Sequence, residues 1–235
     1  MAEDYSYLGS GMIHFREYQA AAPFIEAGNC SVLNLAPQVN TLELPNYTQP
    51  GGGIQNSVDR ITGVDLSYTF HDFSPENIAR ALRGGATPAV AGTSTDEAVV
   101  AYKGGFTPLA FIPTAITSVK RAGSTTAYAA GTDYEFRTGG LFIPNSSAIV
   151  PPVAGAPNLQ VTYTYLAQAK VQAMIHSAKQ YEVLFTGLNE ARSGKAVRIW
   201  VHKVSGGVLS SFAALGEEYG AGEVTGKALL DDSKS

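Results

Sequence analysis

Several stretches of the chain alternate apolar and polar side chains with a period of two, the spacing of strands that bury one face and expose the other. In the clearest, Val64, Leu66, Tyr68 and Phe70 share one face while Asp65, Ser67, Thr69 and His71 share the other. Leu159, Val161, Tyr163 and Tyr165 alternate with Gln160, Thr162 and Thr164 in the same way. Shorter runs follow at Tyr181, Val183 and Phe185 and at Val197, Ile199 and Val201. Such faces pack on a core on one side and meet water or a partner on the other. One helix is predicted among the strands: Ser74 suits the N-cap, Pro75 the first helical position and Gly84 the C-terminal stop. Ile78, Ala81 and Leu82 then line the face turned to a sheet. From Ala167 to Gln180 two stripes compete, Val171, Met174, Ile175 and Ala178 at helical spacing and Val171, Ala173 and Ile175 at strand spacing; the strand is preferred.

Three stretches interrupt the pattern. Pro45 to Arg60 (PNYTQPGGGIQNSVDR) combines two prolines with three consecutive glycines and reads as a polar, mobile loop. Gly84 to Thr95, rich in Gly, Ala, Thr and Pro, reads as a linker, and Pro151 to Pro157 as another break. Between these two lies a β-rich block that includes Ala115 to Lys120, Thr125 to Phe136 and Leu141 to Ile143. The predicted organisation is a mainly β protein with a discontinuous domain, residues 1–84 and 169–235, carrying a β-rich insertion at 85–168. No repeat with a period of tens of residues is evident.

Composition narrows the chemistry. A length of 235 residues suffices for a real core, and a 15% share of charged residues beside 25 Gly and 12 Pro is the vocabulary of strands and turns. Cys30 is the sole cysteine, so no intrachain disulfide forms, and it reads as a small buried hydrophobe. With 16 Lys and Arg against 20 Asp and Glu, the net charge of −4 includes no basic cluster to grip phosphates, which disfavours specific nucleic-acid binding. The N-terminus lacks the pattern of a signal peptide, and no run reaches the about 18 to 20 apolar residues of a membrane span. A soluble protein made in the cytosol, without a membrane partner, is the expectation.

Four histidines, His14, His71, His176 and His202, lie far apart, without metal-ligand spacing. The string GGGIQNS lacks the Gly-Lys-Ser/Thr that closes a phosphate loop. Asp72 with Glu76 and Asp133 with Glu135 read as turn and helix-start acids, Ser74 as a cap rather than a nucleophile, and Gly-x-Ser-x-Gly is absent. No catalytic, metal or cofactor residue is assigned.

A series of local patterns then occurs in order along nearly the whole chain. FIEAGNCSVLNLAPQVNTLEL begins at Phe24, and ITGVDLSYTFHDFSPENIARALRGG follows from Ile61. TTAYAAGTDYEF starts at Thr125, LFIPNSSAI at Leu141 and LQVTYTY at Leu159. KQYEVLFTGLNEARSGKAVRIWVHKV starts at Lys179, and the end reads LLDDSKS. The series resembles the tail tube (major tail) proteins of long-tailed bacteriophages with flexible, non-contractile tails. In that pattern Gly28 and Asn29 open the first long strand, the Ser-Pro-Glu-Asn of Ser74 to Asn77 begins the helix, Gly131 to Glu135 belongs to the inserted region, and Phe185, Gly187 and Asn189 lie near the last strands.

The resemblance implies a β-sandwich or partly closed barrel flanked by one helix, similar to the tube protein of type VI secretion. Six copies would join edge to edge into rings, and rings would stack into a conduit for DNA. The implied partners are the chain itself, a tape measure protein and viral DNA in the lumen without specific binding, and tail terminator and distal tail proteins at the ends. The location would be the virion tail, after synthesis in the bacterial cytoplasm, with the insertion facing outward. The candidate assembly loop comprises Pro45, Asn46, Tyr47, Gln49, Gly51, Gly52, Gly53, Ile54, Gln55, Asp59 and Arg60, ordering against the adjacent subunit or ring. Candidate assembly arms are the N-terminus, with Asp4, Tyr5 and Tyr7, and the C-terminus, with Leu229, Leu230 and Asp231. Two alternatives stand beside this reading: another tail component on a related fold, such as a tail terminator or distal tail protein, and a carbohydrate-binding β-sandwich. The latter would cluster exposed aromatics on one face, whereas the tyrosines are scattered in sequence and Trp200 is the only tryptophan.

Overall fold

In the computed structural model, which describes residues 5–212 and 215–234, the chain forms two compact units, Met1–Ala86 with Val171–Ser235, and Thr87–Lys170. The junctions predicted from the sequence lie after residues 84 and 168. The first unit opens with β1 (Gly9–Glu17), β2 (Ile25–Glu26), β3 (Cys30–Pro45), β4 (Ile54–Phe70) and helix α1 (Pro75–Ala81). β5 (Gly85–Ala89) leads out of it. The second unit holds β6 (Gly92–Val99), β7 (Gly105–Pro108), β8 (Pro113–Arg121), β9 (Glu135–Arg137), β10 (Gly140–Ile143) and β11 (Leu159–Tyr165). β12 (Gln168–Gln172), paired with β5, leads back to β13 (Gln180–Asn189), β14 (Lys195–Ser205), β15 (Val208–Leu209) and β16 (Gly222–Ala228).

The first unit is one antiparallel sheet in the order β2-β1-β13-β14-β16-β4-β3, with β15 attached to β16. Pairing between β14 and β16 shrinks to Val204 opposite Ala228. The sheet bends there into two layers, and their inner faces share one core. Ile13, Phe15, Val183 and Phe185 from one layer meet Leu66, Tyr68, Phe70 and Val224 from the other. Phe15 and Tyr68 have ring centroids 4.9 Å apart. The alternation of Val64 to Phe70 therefore does what its period predicts, whereas in the run from Tyr181 to Phe185 the polar position Glu182 is buried too, beside a register shift between Tyr181 and Val183. The sheet remains open, with β2 and β3 at its edges, so of the two expected forms, sandwich or partly closed barrel, the fold is the sandwich-like one.

Helix α1 starts as predicted: the Ser74 Oγ accepts from the Asn77 backbone N at 3.2 Å. Its stop differs. Arg83, not Gly84, adopts the left-handed conformation (φ 49°), and Gly84 N donates to Ala79 O at 2.7 Å, the closure of a Schellman turn. Arg83 is held there by its guanidinium, which donates to Ser177 O and, at 2.7 Å, to Gly206 O. Gly84 is required for another reason, because a Cβ there would collide with the Gln172 carbonyl. The most buried helical residues are Asn77, Ala79 and Ala81, with Ile78 and Leu82 only half-buried.

The second unit packs the sheets β6-β11-β8 and β7-β10-β9 around Val119, Leu141, Ile143, Leu159, Val161 and Tyr163. The predicted linker at Gly84–Thr95 is largely strand, since it contains β5 and the start of β6. Conversely, Thr125 to Phe136 is mostly irregular, with a turn at residues 131–133. Its organiser is Asp133, whose carboxylate accepts from the backbone N of Ala129 and of Ala148, each at 2.9 Å. These two donors hold its carboxyl below the usual carboxylate range. Of the ambiguous stretch 167–180, only Gln168–Gln172 is a continuous strand. Met174 then turns left-handed (φ 58°), which breaks both stripes.

Candidate functional site

The most distinctive feature of the first unit is the hairpin of β3 and β4. β16 covers β4 from Phe70 to Val64 only. Beyond that point Val39 to Pro45 pair with Ile61 to Ile54 alone. At the strand rise, this ribbon projects about 25 Å past the sheet. Cross-strand partners share a face, so Leu42, Leu44 and Val58 stand with Asn40, Asn56 and Arg60 on one side. Val39 and Ile61 stand with Thr41, Glu43, Ser57 and Asp59 on the other. Both faces are bare: Leu42 is 47%, Leu44 52%, Val58 50% and Ile61 74% exposed. A two-stranded ribbon is marginal alone and gains most from being covered.

The candidate assembly loop is accordingly corrected. Ile54, Gln55, Asp59 and Arg60 are strand residues, and Pro45 ends the opposing strand. Only residues 46–53 form the connection, and they are tied together: Asn46 N donates to Gly53 O at 2.8 Å, Gly52 N to Gln49 O, and Thr48 N to the Asn46 side chain. Tyr47, beside this turn, is 83% exposed.

A second feature lies at the other end of β3. The edge of β1 away from β13 is covered by β2 only at His14 and Phe15. Among the described residues no strand pairs with that edge at Gly9–Met12, nor with the outer edge of β3. Between these two open edges runs a cleft of about 360 Å³, lined by Tyr7, Gly9, Ser10, Gly11, Ile13, Cys30, Ser31, Val32, Leu33, Phe185 and Ile199. Unpaired backbone edges beside a cleft of mixed apolar and polar lining are suited to receiving a strand.

The string of Phe185, Gly187 and Asn189 builds one wall of this region. Gly187 lies opposite Gly11 in the β1–β13 ladder, and a Cβ on it would strike the Ser10 carbonyl and the Phe185 ring. Asn189, 7% exposed, accepts from Leu8 N and donates to Ser6 O, both at 3.0 Å. The N-terminal arm is thereby bound to its own subunit, with the Arg192 guanidinium 4.9 Å from the centre of the Tyr5 ring. Tyr7 stays exposed at the cleft, and Asp4 lies outside the described residues. The C-terminal arm is also docked: Leu229 N donates to Lys203 O at 2.9 Å, and the Tyr18 hydroxyl donates to Asp231 at 2.8 Å, leaving Leu230 exposed. The helix-start string has a comparable structural role. Asn77 Nδ2 donates to Ala27 O at 2.7 Å and to Asp72 O at 2.8 Å, tying the helix to the loop before β3.

Reactive side chains are paired off elsewhere. His14 Nε2 lies 3.7 Å from Glu26, and Arg16 bonds Glu182 at 2.6 Å while stacking on Phe24. Among the described residues no group of three or more His, Cys, Asp or Glu is placed to hold a metal ion. A wide depression of about 670 Å³ is lined by Glu17, Tyr18 and residues 175–180, with Lys179 Nζ 3.5 Å from Glu17. In the second unit Phe106 and Phe142 share one face of the β7-β10-β9 sheet. The Arg137 guanidinium, paired to Glu135 at 2.8 Å, caps the Phe142 ring at 3.8 Å, so the two rings form no open stacking platform. No helix among the described residues is long and apolar enough to cross a membrane.

A family model described as "Protein of unknown function UCP028589" matches residues 6–235, nearly the whole chain. No curated protein matches it.

Proposed function

We propose that this chain, which belongs to the family described as protein of unknown function UCP028589, is the structural subunit of a bacteriophage tail tube. Six copies form a ring, and rings stack into a hollow conduit through which DNA leaves the capsid. The observation that carries the reading is the β3–β4 ribbon, a preformed arm with apolar side chains on both faces and no partner strand among the described residues of its own unit. Open edges on β1 and β3 support it, because edge pairing between neighbours satisfies rows of backbone groups that a monomer leaves to water. The ordered resemblance to tail tube proteins supports it further. Its partners are then a tape measure protein and DNA in the lumen, and terminator and distal tail proteins at the ends. Six subunits at a net −4 each make an acidic ring, which favours a wall that repels phosphates over one that grips them.

Negative-stain microscopy of the purified protein tests this directly. Long hollow filaments of even width are expected. Discrete rings that never lengthen would favour a tail terminator instead, and neither rings nor filaments would remove the reading. A ribbon truncation sharpens the test: residues 41–59 are replaced by Asn-Gly, joining the cross-strand pair Asn40 and Arg60. This variant should keep the β circular dichroism of the parent and form no filaments.

A further inference from the structure

We infer that the cleft between β1 and β3 is the seat of the β3–β4 ribbon of a second copy, joining subunits head to tail along the filament; this rests on the tube reading above. The two surfaces belong to one strand. β3 begins at the cleft with Cys30 to Leu33 and ends in the ribbon, so donor and receiver lie at opposite ends of the same layer. A contact between unlike patches at opposite ends does not close on itself and generates an open, directional stack.

The chemistry of the surfaces is complementary. Leu42, Leu44 and Val58 form a compact aliphatic patch on one ribbon face, and Ile13, Leu33, Phe185 and Ile199 give the cleft an apolar lining. Charges agree as well. Glu43 and Asp59 outnumber Arg60 on the ribbon, while at the β13–β14 turn beside Gly9 Arg192 and Lys195 outnumber Glu190.

Cys30 supplies the test, because the chain's sole cysteine lines the cleft. Single variants Leu42→Cys, Leu44→Cys, Asn56→Cys and Val58→Cys are assembled and treated with diamide, which takes up two protons and two electrons as two thiols become a disulfide. Bridging requires Cβ atoms about 3.5–4.5 Å apart, so a seated ribbon links at only one or two of the positions. The expected result is a non-reducing gel ladder that runs past six chains and disappears when Cys30→Ser is added. A ladder that stops at six would keep the ribbon within its own ring and overturn the inference. Filaments with no cross-link at any position would overturn it while leaving the tube reading intact. Absence of filaments from the unmodified protein would overturn both. Val32→Lys, on an exposed residue at the cleft mouth, provides a second arm: folded protein without filaments is expected, and undiminished filament growth would refute the seat.

Discussion

Asn77→Ala isolates the contribution of a single buried side chain to the first unit. Asn77 is 3% exposed, and its amide nitrogen donates to the carbonyls of Ala27 and Asp72. The Ala27 carbonyl is buried, so losing its donor costs about 1–3 kcal/mol, while the Asp72 carbonyl is partly open to water and loses about 0.5–1 kcal/mol. Two terms offset this. Asn77 Oδ1 finds no partner among the described residues, so its removal relieves a buried unpaired acceptor. Alanine is also the better helix former by about 0.5 kcal/mol. The cap survives, because Ser74 bonds the backbone N of residue 77. A net loss of about 2 kcal/mol follows, which at a urea slope of about 2 kcal/mol/M lowers the midpoint by about 1 M. Trp200, the sole tryptophan, lies on β14 in the first unit, so its fluorescence reads this transition alone. Asn77→Asp should be worse than Ala at neutral pH, since an ionised carboxylate would face two carbonyl acceptors and can donate to neither. A midpoint shift of under about 0.2 M for Asn77→Ala, or an Asp variant no weaker than the Ala variant, would refute the reasoning.

Three further outcomes follow from other contacts. Asp133 has a depressed carboxyl pKa, so its contribution is complete above the unfolded value of about 3.9 and fades as pH falls through the lower folded value. Hydrogen exchange of second-unit amides should therefore be flat above about pH 5 and quicken below about pH 4, beyond the intrinsic pH effect. Asp133→Asn should show less of this acid sensitivity. Gly187→Ala should destabilise the first unit by about 1–3 kcal/mol in the same tryptophan assay, because its Cβ meets the Ser10 carbonyl of a paired strand, which cannot move freely. Tyr18→Phe should leave the thermal midpoint unchanged but speed carboxypeptidase trimming of the C-terminal arm, by removing the bond to Asp231.

What the sequence reveals depends on which faces are buried. Val64 to Phe70 is legible because one side packs on a core, and burial enforces period two. Nine residues earlier the same strand is illegible. Both faces of the ribbon are bare, so Asn56, Ser57, Asp59 and Arg60 are tolerated beside Val58, and the alternation is lost. The glycines and prolines around Tyr47 correctly announce a turn, but one confined to residues 46–53. The helix start is readable from Ser74 because capping is local, whereas its stop at Arg83 depends on carbonyls of Ser177 and Gly206, far along the chain. Thr125 to Phe136 looks like a strand in composition and becomes irregular because the Asp133 carboxylate gathers two amides, one four residues back at Ala129 and one fifteen residues on at Ala148. The strings that carry the family resemblance are legible as an ordered set, but their cause is three-dimensional: Asn77, Gly187 and Asn189 hold loops and strands together.

A preformed ribbon alters how premature polymerisation would be prevented. A loop that orders only on assembly would restrain growth through lost chain entropy, but residues 54–60 are already strand. Restraint then has to come from the strength of each contact. Covering three half-exposed aliphatic side chains contributes about 1 kcal/mol each, or about 3 kcal/mol per ribbon. That falls short of the about 4.1 kcal/mol of a millimolar complex, before the association entropy is counted. Two free subunits would therefore seldom stay stacked. Once six are joined at their edges, one docking event engages six ribbons at a single association cost, and the same contacts become strong together. In this scheme ring closure is the committed step. It relies on the backbone edges of β1 and β3, which add little affinity until two copies are held in register. The weakness of the individual ribbon contact is then what makes elongation depend on a ring already in place.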